Sequence, residues 1–156
     1  MRVLENRISA LLLATGTFLL ALGAGVTARA EEEDKAAKSL EGGYTLVSGE
    51  KDGKPIPEER IKGGIVRFTG DKITGTDKDK KEFFAANYTL DTAKKPWVIQ
   101  MKSTSPKEAD ATGLVKKEGD TITIIYALPG GEAPKEFKTG AKQHMFVLKN
   151  LNKKEK

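Results

Sequence analysis

From Gly43 to Leu151 the chain never holds a helical period. Short runs with apolar residues at alternate positions are instead cut about every ten residues by turn chemistry, the pattern of half-buried β-strands. Residues 44–48 form the first run. Asp52-Gly53-Lys54-Pro55-Ile56-Pro57 follows, where glycine permits positive φ and proline fixes its own. Residues 58–62 suit one helical turn, stopped by Gly63-Gly64. Further runs lie at residues 65–69, 72–74, 82–90 and 97–102. Residues 111–117 and 121–128 flank Glu118-Gly119-Asp120, a tight hairpin signal. Pro129-Gly130-Gly131 reads as a wide turn, and residues 144–151 form the last run.

About eight strands joined in order by short turns predict an all-β, antiparallel, up-and-down barrel, because closure removes the exposed edges of such a meander. The expected inward set is Tyr44, Leu46, Val66, Phe68, Ile73, Phe84, Tyr88, Trp97, Ile99, Met101, Leu114, Ile122, Ile124, Tyr126, Phe146 and Leu148. Each such side chain, fully buried, contributes roughly 1.5–3 kcal/mol. That suffices for one core spanning residues 40–151, without disulfide or metal support.

The N-terminus reads as an address. Arg2 and Arg7 precede an apolar run over residues 8–22, and Ala28-Arg29-Ala30 supplies an A-x-A cleavage site. The expectation is a signal peptide over residues 1–30, cut after Ala30, which exports the protein to the periplasm or medium. Thr15, Gly16 and Thr17 weaken the rival reading, a permanent span, so no membrane span is expected after cleavage. Residues 31–39 follow as a charged leader, read as a frayed helix or disordered. Cleavage removes three of the 27 basic residues and one of the 22 acidic ones, leaving 24 against 21, a net charge of +3. Charges of both signs alternate along the chain, and the lysine-rich tail over residues 152–156 lacks the stacking aromatics of a nucleic-acid binder.

Four segments in order carry a resemblance: Leu40-Glu41-Gly42-Gly43-Tyr44, the Asp52–Pro57 turn, Phe68-Thr69-Gly70-Asp71-Lys72, and Leu128-Pro129-Gly130-Gly131-Glu132 with Pro134 and Glu136-Phe137. Together with the closing Phe146-Val147-Leu148-Lys149 strand, they resemble an uncharacterised bacterial extracytoplasmic domain family expanded in planctomycetes. The resemblance covers residues 39–150. It implies a lipocalin-like barrel in a secreted or periplasmic setting and assigns no activity. Such domains open with a Leu-x-Gly-Thr-Trp-like element whose tryptophan plugs the closed end of the barrel; here Gly43-Tyr44 stands in that place.

Chemistry-bearing constellations are few. The chain has no cysteine, so thiolate metal sites, cysteine nucleophiles, disulfides and a lipid-anchored cysteine are excluded. Its single histidine, His144, lies in no triad pattern, since Ser48, Ser103 and Ser105 are not in a nucleophile elbow. Asp77, Asp79 and Glu82 resemble half of a calcium loop but lack its other ligand positions, and a charged hairpin tip is the expectation. The glycine-rich Leu128–Glu132 stretch opens no helix onto a phosphate, and nothing sets Glu58 and Glu59 across a cleft. No catalytic residue, metal or cofactor is therefore assigned.

One set stands apart: Phe68, Phe84, Tyr88, Trp97, Met101 and Tyr126 on the inner face. An eight-stranded barrel is just wide enough to be filled by side chains or to hold one small ligand. Either these residues are plain core, or they line an apolar pocket to which Tyr88, Trp97 and Tyr126 add polar edges and Ala85, Ala86 and Gly113 give room. The functional expectation is an exported, non-enzymatic, monomeric barrel that binds a small apolar ligand. The alternative is an envelope protein-interaction or structural module with a solid core.

Overall fold

The computed structural model describes residues 24–152. The basic start and the apolar run of the expected signal peptide, and residues 153–156 of the tail, lie outside the described residues.

The alternating runs become strands: β1 (Gly42–Lys51), β2 (Lys54–Pro55), β3 (Ile65–Thr69), β4 (Lys72–Thr76), β5 (Glu82–Asp91), β6 (Trp97–Ser105), β7 (Ala109–Glu118), β8 (Thr121–Ala127) and β9 (Gln143–Asn150). From β3 to β9 each strand pairs antiparallel with the next, and β3 pairs with β1. β1 then pairs with β9 from Tyr44↔Asn150 to Lys51↔His144, closing an eight-stranded up-and-down barrel. The two-residue β2 pairs only with the end of β1 and stands outside the ring. The one-turn helix α2 (Glu58–Ile61) and Gly63, at φ 79°, return the chain to β3. The Glu118-Gly119-Asp120 signal is a tight hairpin, with Gly119 at φ 64° and Glu118 opposite Thr121. At the β4–β5 tip, Asp77 Oδ1 accepts from the Asp79 and Lys81 amides, 2.9 Å each, so this carboxylate holds a turn.

Of the two expectations for residues 31–39, frayed helix or disorder, the structure takes the helix: they belong to α1 (Ala24–Leu40). The reason is tertiary: Ala36 and Leu40, four residues apart and so on one helix face, are buried against the barrel end. The Tyr44 hydroxyl donates to Leu40 O at 2.9 Å, the Lys117 ammonium donates to Ser39 O, and Arg29 pairs with Asp91 at 3.0 Å. The expected cut after Ala30 falls inside α1, and both buried residues lie beyond it. Among the described residues, no helix is long and apolar enough to cross a membrane.

One inward assignment is corrected. Trp97 is opposite Val115 and Ile99 opposite Gly113, so Val115 points inward and Leu114 does not. Leu114 pairs with Val98 and Ile125 on the outer face, where Ile125 is nonetheless fully buried. Residues 128–142, which follow β8, are more than a wide turn. They turn back at Gly131, whose amide donates to Leu128 O at 2.9 Å, and bring Phe137 beneath the Lys116 ammonium, 5.1 Å from the ring centre. Thr139 bonds Glu50 through its hydroxyl and amide, the Gly53 amide donates to Thr139 Oγ1 at 2.9 Å, and the Lys142 amide donates to Asp52 Oδ1 at 2.7 Å. This flap pins the tip of the β1–β2 hairpin and lays Phe137 against Lys116 on the outer face of β7.

Candidate functional site

The two ends of the barrel are built differently. At the end carrying α1, Tyr44, Phe68 and Tyr88 meet edge to face, with centroids 5.8 Å apart at each contact. Leu40 and Tyr44 are fully buried there, so Tyr44 helps to fill this end of the barrel. Trp97 begins β6 at this same end, with the Lys95 ammonium 5.2 Å from its ring centre.

Toward the other end, the interior holds a cavity of about 290 Å³. Phe68 is its floor; Leu46, Ile73, Phe84, Met101, Ile124 and Phe146 are among its walls. Tyr126 and His144 lie opposite one another on β8 and β9 and supply the polar groups. Two irregularities shape it. A β-bulge between Gly75 and Thr76 re-aims Phe83 over the pocket, its ring against Gly75, where a Cβ would lie 2.9 Å from Phe83 Cζ. A second, at Val47, turns Gly49 toward Phe146, where any Cβ would meet the Phe146 ring at 3.0 Å. A neighbouring recess of about 340 Å³ shares Phe84, Met101, Tyr126 and His144 with the cavity and also touches Lys107, Asp110 and Pro129. These four side chains therefore stand between inner chamber and rim.

Of the six residues singled out from the sequence, Phe68, Phe84, Met101 and Tyr126 line the cavity. Tyr88 and Trp97 do not: both belong to the closed end, where Tyr88 is buried with its hydroxyl unpaired. Of the small residues, Ala86 is inward, but Gly113 gives no room, because a Cβ there would lie 2.1 Å from Ile125 O. Sequence reasoning missed His144 and Phe83 as cavity residues. Alternation through His144, Phe146 and Leu148 carried the signal for the first; the bulge concealed the second.

The electrostatics centre on Tyr126 and His144. The Tyr126 hydroxyl is 3.5 Å from His144 Nδ1, and the rings meet at 5.6 Å and 66°. His144 Nε2 is buried without a hydrogen-bond partner. Burial pushes the Tyr126 phenol up to about 12. Burial, and then the Lys51 ammonium directly across the β1–β9 ladder, hold the imidazole below its ordinary value, against a smaller opposing pull from Asp52. A neutral imidazole beside an un-ionised phenol is a hydrogen-bonding pair without a net charge. Neither ring nitrogen of His144 is hydrogen-bonded by a serine, threonine or carboxylate among the described residues. Among those residues, no group of three or more acidic or histidine side chains is placed to hold a metal ion.

No family model matches the chain, and no curated protein or solved structure matches it either. What the cavity does is therefore read from its own geometry.

Proposed function

We propose that this protein is an exported, non-enzymatic β-barrel that binds a small apolar or amphipathic molecule in the open half of its interior. One observation carries the reading: the cavity of about 290 Å³, walled almost wholly by aliphatic and aromatic side chains. That volume sits at the ~300 Å³ lower bound of ligand pockets. An apolar cavity of ~150 Å³ takes up benzene, so this one suits a guest of about ten heavy atoms. It favours ligand binding over an envelope module with a solid core. Export rests on the N-terminal basic, apolar and A-x-A succession and on the resemblance to extracytoplasmic domains. The non-enzymatic reading draws on His144, whose Nδ1 faces a phenol rather than an orienting carboxylate or a nucleophile.

Native mass spectrometry of the purified protein, with and without added 1-octanol, tests the proposal. A bound small molecule is expected in one or both samples. The Val66→Phe variant, which places a ring inside the cavity, is expected to weaken octanol binding at least about tenfold while leaving the thermal unfolding cooperative. Absence of any adduct, or equal binding by the variant, overturns the reading.

A further inference from the structure

We infer that the cavity selects an uncharged amphiphile: an apolar tail bearing one neutral acceptor oxygen, an alcohol, ketone or ester, that receives a hydrogen bond from Nε2–H of His144. The inference rests on the ligand-binding reading and adds the head group. It follows from the two ways in which Tyr126 and His144 can share their protons. If Nδ1–H donated to the phenol oxygen, both the phenol hydrogen and Nε2 would be left without a recorded partner. If the phenol donates to Nδ1, only one group is left, Nε2–H. Buried polar groups are paired wherever geometry permits, and the second arrangement strands fewer of them. It also fixes the tautomer: the proton is on Nε2, and the unmet group in the wall is a donor. That donor waits for an acceptor, and water or a guest must supply it.

The charge of the guest follows from what surrounds the ring. Lys51, the last residue of β1, stands across from His144 and Asp52 follows it in the turn, one of each sign; Tyr126 faces the imidazole from β8. The adjoining recess carries Lys107 and Asp110, again one of each. Nothing there concentrates positive charge on a carboxylate. Moving an anion from water onto a single neutral N–H in an apolar chamber carries a desolvation cost that the contact does not offset. A neutral oxygen incurs little of that cost and satisfies the donor.

The experiment measures binding of four probes to the full chain at pH 8 by calorimetry: octane, 1-octanol, 2-octanone and octanoate. Octanol and octanone are expected to bind about tenfold more tightly than octane and more tightly than octanoate. His144→Phe should bring the octanol-to-octane affinity ratio, read within the variant, down to about one. His144→Gln, which keeps an N–H donor, should restore part of the advantage. Equal affinity for octane and octanol, or a preference for octanoate, overturns the head-group inference and leaves the cavity reading standing. If none of the four binds, both fail; the wild-type series decides this even where a variant does not fold.

Discussion

Both ends of this barrel are filled with rings, yet only one end is solid. At the closed end Tyr44, Phe68 and Tyr88 meet edge to face under α1, with Leu40 fully buried. At the open end Tyr126, His144 and Phe146 also touch, with centroids 5.6 to 6.5 Å apart, but they surround a cavity. The difference lies in what closes them. A helix brings a leucine down between the rings on one side. On the other, β-bulges lie at Val47 and Phe83, and among the described residues no long helix covers the rings. Aromatic content alone thus fails to separate a plug from a pocket; the lid does.

The sharpest way to break this comparison is to truncate one ring at each end. Phe68→Ala, in the packed floor, is expected to cost about 3–5 kcal/mol in urea unfolding. Phe84→Ala, half-buried beside existing empty space, should cost about half as much or less. Similar losses at both sites would mean that the open half is as tightly filled as the closed half. A smaller effect tests the plug itself. Tyr44→Phe keeps the ring but removes the hydroxyl that holds Leu40 O. It should lower stability by about 0.5–1.5 kcal/mol and make the end of α1 more accessible to protease.

The smallest effect concerns pH. Burial and Lys51 depress the His144 titration in the folded protein, so the unfolded chain takes up the proton first as pH falls. Stability is then complete above about pH 6.5, the ordinary imidazole value, and declines as pH drops toward the folded value. This modest contribution should vanish in His144→Phe, as read from urea midpoints between pH 8 and 5. An unchanged slope in that variant would place His144 in a solvated, water-like setting.

The strands were legible because one face of most of them is buried, which writes a period of two into the sequence. Residues 65–69 show this, matching β3 end for end. The reading failed where a strand is buried on both sides: with Leu114 and Val115 both apolar, alternation cannot say which points inward. It left residues 31–39 open between a frayed helix and disorder because two buried residues in the 17-residue α1 make a faint stripe. The flap over residues 128–142 was invisible because Glu50 and Thr139 are 89 positions apart, and no local propensity encodes that bond. Within the site, Phe84, Met101 and Tyr126 were found by parity. Phe83 was lost to a bulge, and Tyr88 and Trp97 share the inner face but stand at the other end, because parity gives the face of a strand and not the height along it.

The flap has a mechanical corollary. It lays a further ply beside the outer face of β7, while β3 and β4 are short, five residues each. Backbone amides in the laminated side should exchange with deuterium last. On the proposed function, the breathing that would admit a guest falls to the thin side, so that the vessel would hinge asymmetrically rather than swell.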